Sequence, residues 1–150
     1  MYTMVRVLPM DQEGEFDGLT IKDVQKHFFS NELPKREGKY RYKIQGLIAD
    51  KMTTLVLFQY DNHIIACADL DKVVKFEKIE EDVYRGAFYF KPSSIKVLAP
   101  MTNADINHIF KCTKKFGQVK HSLNPSYASV FMKRLTLLAK SRNLGVRAKF

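Results

Sequence analysis

The side chains with the clearest chemical potential in this sequence are the cations of its last third. Residues 101–150 contain 10 Lys and Arg against one acid, Asp105, whereas residues 1–100 contain 15 residues of each sign. The formal net charge of +9 therefore comes from the C-terminal third. Like charges repel one another, so a surface of one sign indicates a polyanionic partner, of which nucleic acid is the commonest. Phosphate-binding residues are predicted at Lys111, Lys114, Lys115, Lys120, Lys133, Arg134, Lys140 and Arg142.

A second basic stretch, Lys35–Lys43, contains cations that alternate with tyrosines. Lys and Arg beside aromatic rings suit phosphate contacts combined with base stacking, so we predict that Arg41 and Lys43 join the binding surface. The alternative for this stretch is an edge strand whose lysines prevent pairing with other chains. For the C-terminal cations, the alternative is the ordinary solvated surface of a soluble basic protein.

Catalytic chemistry has little support in the residue pattern. The sequence has no glycine-rich phosphate loop, no nucleophile elbow and no cluster with metal-ligand spacing. Its four histidines are scattered, with His27 predicted in a core and His63 on the surface. Acids such as Glu80–Asp82 fall at predicted turns, where they are ordinary. We therefore predict a protein that is not an enzyme and uses no metal or cofactor.

The length and composition indicate one folded domain over residues 1–150, since 45% of the residues are hydrophobic. The two cysteines, Cys67 and Cys112, lack the spacing of a metal site or a disulfide framework, and Cys67 is predicted to be a buried free thiol. This cysteine usage favours a reducing, cytoplasmic compartment. No apolar stretch approaches the length of a membrane span, so no membrane partner is expected.

Up to residue 100, the sequence pattern predicts mainly β-strands, which must position the candidate binding residues. Thr20 is predicted to cap an early helix that ends near Ser30-Asn31. The continuous apolar run Leu55–Phe58 is typical of a strand buried on both faces, and Asp61-Asn62 then predicts a tight hairpin. Other strands are predicted at Thr3–Leu8, Val73–Phe76, Tyr84–Phe90 and Ile95–Leu98, the last ended by Pro100.

The last third is predicted to be a basic helical segment, residues 101–150, packed on the strand-rich part. Thr102 is expected to cap a short helix. Asn124-Pro125 is expected to start a longer helix that runs to about Asn143 and stops at Gly145. Its core-facing stripe is predicted at Tyr127, Phe131, Leu135 and Leu138, and a final strand is possible at Val146–Phe150.

The order of these elements and their residue patterns resemble those of the PUA-like superfamily, which includes the EVE, ASCH, YTH and SRA domains. The resemblance covers residues 1–100 and is carried by the hairpin Thr54–Asp69, the strand Tyr84–Phe90, the short strand Ser94–Leu98 and the early helix Ile21–Phe29. It implies an α+β fold in which a small, strongly bent β-barrel is flanked by helices.

The resemblance also implies a function, because members of this superfamily bind nucleic acid and several flip a modified base into an aromatic pocket. We therefore predict a module that binds double-stranded DNA and reads a modified base or a sequence, as in the recognition domain of a restriction or defence enzyme. A nuclease or other effector domain would be its further partner. The EVE and YTH pockets usually use Trp, which this chain lacks, so base-pocket residues are predicted at Tyr42, Tyr60 and Tyr89.

Two other readings stay open at this point. An RNA-binding module of the same fold fits the same residues. A small ASCH-type amidohydrolase that acts on a modified nucleoside would need a Lys, Glu and Thr constellation, for which Lys22, Thr20 and Glu37 are the available residues.

Overall fold

The computed structural model describes residues 1–12, 14–44 and 53–143, with side chains up to residue 135. These residues form a mixed α+β fold, as predicted, with one seven-stranded sheet. The strands are β1 (Met4–Pro9), β2 (Lys39–Tyr42), β3 (Thr54–Tyr60), β4 (His63–Glu80), β5 (Tyr84–Phe90), β6 (Lys96–Thr102) and β7 (Ser122–Leu123). The helices are α1 (Ile21–Asp23), a π-helical stretch (Val24–Glu32), α2 (Leu33–Lys35), α3 (Asn103–Phe110) and α4 (Ala128–Asn143), with short 3-10 turns at Gly14–Phe16, Pro92–Ser94 and Pro125–Tyr127.

The sheet has the strand order β2-β5-β4-β3-β1-β7, with β6 paired to β4. The long strand β4 connects its two halves, because it pairs with β3 along one edge and with β6 and then β5 along the other. Strands β1 and β3 are parallel, and the other pairs are antiparallel. The sheet formed by the described strands is open, so the closed barrel that the resemblance implies is not shown.

Strand β3 is buried along its whole length, which confirms the prediction from its apolar run. Its alternate residues contribute to two different cores: Val56 and Phe58 belong to the first, Leu55 and Leu57 to the second. The residues Asp61 and Asn62 then adopt φ values of 49° and 62°, so the predicted tight turn leads into β4.

Helices cover both cores. The first core contains Phe28, Phe29 and Leu33 from the helical stretch 21–35, and the rings of Phe29 and Phe58 are 4.8 Å apart. The second core lies beneath α3 and α4, and its members include Phe110 and Phe131. Capping boxes begin α1 and α3, in which Thr20 pairs with Asp23 and Thr102 with Asp105, as the sequence predicted for both caps.

Several local predictions were wrong. The early helical stretch does not end near Ser30-Asn31 but continues to Lys35, because Pro34 lies in the first turn of α2, where a missing N–H is tolerated. Pro100 does not end β6, since it lies opposite an irregularity in the ladder between β4 and β6. His27 is exposed rather than in the core. The predicted strand at Val146–Phe150 lies outside the described residues.

Candidate nucleic-acid interface

The loop that follows α3, residues 111–121, carries four of the predicted phosphate-binding lysines; we call it the basic loop. Two amide side chains of α3 bind its backbone. The Lys114 carbonyl accepts hydrogen bonds from Asn103 Nδ2 (2.7 Å) and Asn107 Nδ2 (2.8 Å), and the Lys114 N–H donates to Asn107 Oδ1 (3.0 Å). The Phe116 N–H donates to Asn103 Oδ1. Because these bonds hold the main chain, the exposed side chains of Lys111, Lys114 and Lys115 are left for solvent or a ligand.

The start of α4 is joined to this loop by packing. The Phe110 and Phe131 rings are 5.8 Å apart, and Lys111 Nζ lies 5.9 Å from the centre of the Tyr127 ring. Phe131 and Leu135 are buried, as predicted for the core stripe. Lys133 and Arg134 lie between them in sequence and are exposed. Lys140 and Arg142 belong to α4, but their side chains, like that of Leu138, lie outside the described residues.

The charges of the two predicted basic regions have different surroundings. Arg41 forms salt bridges with Glu80 (3.7 Å) and Glu81, and Lys43 Nζ lies 3.1 Å from Asp11 Oδ2. All salt bridges within the described part of the chain involve Arg36, Arg41 or Lys43. The described cations of the C-terminal third therefore form none. They are Lys111, Lys114, Lys115, Lys120, Lys133 and Arg134.

Lys120 differs from the other lysines of the basic loop because it is half-buried. Its Nζ donates to the Ile44 carbonyl (3.3 Å), and its own carbonyl accepts a hydrogen bond from Arg6 Nη2 (3.0 Å). Burial lowers the pKa of the Lys120 ammonium, and the nearby Arg6 lowers it further. Lys120 thus joins the basic loop to the end of β2.

A pocket of about 250 Å³ opens where β1 approaches β2. We call it the β1–β2 pocket. Tyr42 and Phe88 stack on its wall, with ring centres 4.7 Å apart. Desolvation raises the pKa of the Tyr40 hydroxyl well above its ordinary value. The lining includes the aromatic residues Phe16, Tyr40, Tyr42, Tyr84 and Phe88, the cations Arg41, Lys43 and Lys120, and the acids Asp11 and Glu15.

The three tyrosines predicted to form a base pocket are not brought together. Only Tyr42 lines the β1–β2 pocket. Tyr60 is buried in the first core, where its hydroxyl lies 2.6 Å from the Leu19 carbonyl oxygen, and Tyr89 belongs to the opposite face of β5. The sequence reasoning missed Tyr40 as a lining residue. Its spacing of two from Tyr42 on a strand was the available signal, because alternate residues share a face.

Tyr42 is unusual because its hydroxyl is buried and has no hydrogen-bond partner among the described residues. Its ring end lies over Gly86, the residue paired with it on β5, and a Cβ at Gly86 would overlap the Tyr42 hydroxyl. An unpartnered buried hydroxyl costs stability.

We expect Tyr42→Phe to leave the free energy of unfolding unchanged or raise it by up to about 1 kcal/mol, since no hydrogen bond is lost. Tyr60→Phe is the matched control. The Tyr60 hydroxyl reaches two carbonyls, so its loss is expected to cost about 1–2 kcal/mol. Urea denaturation of both variants measures the difference. A cost for Tyr42→Phe as large as that for Tyr60→Phe would show that the Tyr42 hydroxyl has a partner.

Comparison of the chain with protein-family models, with curated proteins and with solved structures found no match. Within the described ranges, none of the helices has the length and hydropathy that a membrane span requires. The same residues contain no group of three His, Cys, Asp or Glu side chains arranged to hold a metal ion.

Proposed function

We propose that this protein is a nucleic-acid-binding module that holds the phosphates of double-stranded DNA with its basic loop and the exposed side of α4. The observation that carries the proposal is the segregation of charge, because residues 101–150 contain 10 Lys and Arg against one acid. Arg41 and Lys43 are bound by carboxylates, whereas the described cations from Lys111 to Arg134 form no salt bridge. Cations that are not paired with carboxylates can neutralise DNA phosphates, which then release their condensed counterions.

The β1–β2 pocket would read a base or a modified base in this proposal. It has an aromatic wall and a lysine, Lys120, that belongs to the basic loop. A phosphate contact by the loop would therefore lie next to a base site. Arg41 and Lys43 would serve as residues of the pocket rim rather than as independent phosphate contacts.

The PUA-like barrel belongs to the same proposal. Two contacts that link the edge strand β2 to segments beside β1 and β7 support it. Lys43, just after β2, bonds to Asp11, just after β1, and Lys120 bonds to the Ile44 carbonyl. These contacts bring β2 towards β1, as barrel closure would require. A role as the recognition part of a restriction or defence enzyme, with a nuclease partner, and a cytoplasmic location also remain proposals. The two free cysteines, Cys67 and Cys112, fit that compartment.

The salt dependence of binding tests the phosphate contacts. The observed affinity for a duplex should fall with salt at a log–log slope of about −0.9 per neutralised phosphate. We expect Lys114→Ala/Lys115→Ala to make this slope less negative by about 1.8, if each lysine neutralises one phosphate. Fluorescence anisotropy with a labelled duplex at several salt concentrations measures it.

The matched control is Lys22→Ala/Lys26→Ala, which removes two exposed lysines from the early helical stretch. This double variant removes the same charge from a surface that the proposal leaves free, so its slope should stay near the wild-type value. Equal slopes for both double variants, or a flat salt response of the wild type, would contradict the proposal. Competition with single-stranded RNA decides between DNA and the RNA-binding alternative.

The amidohydrolase alternative gains no support from the residues named for it. Thr20 Oγ1 accepts a hydrogen bond from the Asp23 N–H as a helix cap, and Glu37 adopts a φ of 57° in the turn before β2. Neither residue lines the β1–β2 pocket. Turnover of an acylated nucleoside would favour that alternative.

A further inference from the structure

The outer side of β2, β5 and β4 carries a second cationic and aromatic surface. Tyr89 of β5 is paired in register with Lys39 of β2 on one side and with Lys72 of β4 on the other. The three residues therefore form a row across the sheet, in which the Lys72 ammonium lies over the Tyr89 ring and the Lys39 ammonium reaches Phe76 further along β4. Lys72 is exposed, and Lys39 and Tyr89 are half-buried. We call this row the lysine–tyrosine face.

No described helix covers this face. The helical stretch 21–35 packs on the first core, to which Tyr40 and Phe88 on the other side of β2 and β5 belong. The second core, beneath α3 and α4, contains no residue of β2 or β5. Within the described residues, the lysine–tyrosine face is therefore not covered by a helix.

The cations of this face rest on aromatic rings. Lys72 Nζ lies 4.9 Å from the centre of the Tyr89 ring, and Lys39 Nζ lies 5.2 Å from that of Phe76. A nucleic-acid base stacked on an aromatic side chain contributes more to binding than an exposed lysine contributes by its contact with a ring. A base can therefore displace the Lys72 ammonium from Tyr89 at a net gain. The freed lysine would then lie beside the phosphate of the stacked nucleotide.

Of the three consecutive acids at the end of the β4–β5 hairpin, Glu80 to Asp82, the first two form salt bridges with Arg41, whose guanidinium also lies 4.0 Å from the centre of the Tyr84 ring. These carboxylates are thus partly neutralised. An unpaired base is required for stacking on an exposed ring, and a duplex does not offer one in its interior.

We propose that the lysine–tyrosine face binds single-stranded nucleic acid, with a base stacked on Tyr89 and the flanking phosphates on Lys39 and Lys72. This site is separate from the basic loop and does not depend on the duplex-binding proposal. It takes single-stranded DNA or RNA, because stacking on a ring and contacts to phosphates do not require a particular sugar.

Fluorescence anisotropy with a labelled oligothymidylate of about 12 nucleotides tests the site, since one binding element of this kind covers roughly 4–16 nucleotides. We expect Tyr89→Leu, which keeps an apolar side chain but removes the ring, to weaken binding about 5- to 100-fold. Tyr89→Phe keeps the ring and should retain the wild-type affinity. Lys39→Ala/Lys72→Ala should make the salt slope less negative by about 1.4, because each single-strand phosphate contributes about 0.7.

The matched control is Tyr127→Leu, which removes a ring that also has a lysine over it but lies in the 3-10 turn Pro125–Tyr127 and packs on the second core, which contains no residue of β2 or β5. It should leave single-strand binding unchanged. Equal losses for Tyr127→Leu and Tyr89→Leu, or no loss for Tyr89→Leu, would overturn the proposal. Lys114→Ala/Lys115→Ala tests the basic loop through duplex binding, and Tyr89→Leu tests the lysine–tyrosine face through single-strand binding. Either proposal can therefore be contradicted while the other is supported.

Discussion

Gly38→Ala is expected to lower the free energy of unfolding by about 4 kcal/mol or more, enough to unfold a large fraction of a marginally stable domain. Gly38 has a φ of 81°, which side chains rarely adopt, and a Cβ there would overlap the backbone carbonyl of Phe90. The residue cannot move away to relieve the overlap. Its N–H donates to the Leu33 carbonyl and its carbonyl accepts from the Phe90 N–H, both at 2.9 Å.

Gly18→Ala is the control for this prediction. Gly18 has a similar φ of 75°, but nothing lies within 4 Å of the position that a Cβ would take. Gly18→Ala should lower the free energy of unfolding by only about 1–2 kcal/mol, which is the cost of a side chain in the left-handed backbone conformation. Urea denaturation of the two variants isolates the overlap with Phe90. Equal costs for both would show that the approach of Gly38 to β5 is not close.

The position of Gly38 explains why it matters to the candidate site. It connects α2 to β2, and β2 supplies both Tyr40 and Tyr42 to the β1–β2 pocket and Lys39 to the lysine–tyrosine face. Successive residues of a strand face opposite sides of the sheet, so a shift of β2 by one residue would exchange these two sets. The close approach at Gly38 fixes the register that keeps the two surfaces distinct.

Signals confined to a few neighbouring residues predicted much of the fold. The capping residues Thr20 and Thr102, the turn at Asp61-Asn62 and the apolar run of β3 each specify a local conformation through contacts within a few positions. The length of β4 was not predicted. It extends through irregularities next to Leu70 and after Lys75, which break the alternation that a sequence pattern can reveal.

Of the candidate site, only the concentration of positive charge could be predicted from the sequence. The segregation of cations is visible in the sequence, and the structure gives the described ones no salt-bridge partner. The β1–β2 pocket was not predictable, because residues far apart in the chain, such as Asp11, Tyr42 and Lys120, meet only after the sheet has formed. The sequence also did not predict the hydrogen bonds that hold the backbone of the basic loop. Asn103 and Asn107 are four residues apart on α3 and so share a face, but nothing local indicates that they bind Lys114.

Phe131→Ala is expected to lower the free energy of unfolding by about 3–5 kcal/mol, because the ring is fully buried and its removal leaves a cavity in the second core. Val130→Ala is the control, since this neighbouring side chain of α4 is 43% exposed and its truncation should cost less than about 0.5 kcal/mol. Thermal or urea denaturation compares the two. Similar small costs for both would mean that α4 is not packed through Phe131.

The consequence of this substitution for binding follows from the same contact. Phe131 packs on Phe110, the last residue of α3, and α3 also holds the basic loop through Asn103 and Asn107. A cavity at Phe131 therefore loosens Lys133 and Arg134 relative to Lys114. We expect Phe131→Ala to weaken duplex binding more than Val130→Ala at a temperature where both variants remain folded. If the two variants bind equally, the exposed side of α4 acts independently of the basic loop, and only the loop remains as the proposed phosphate site.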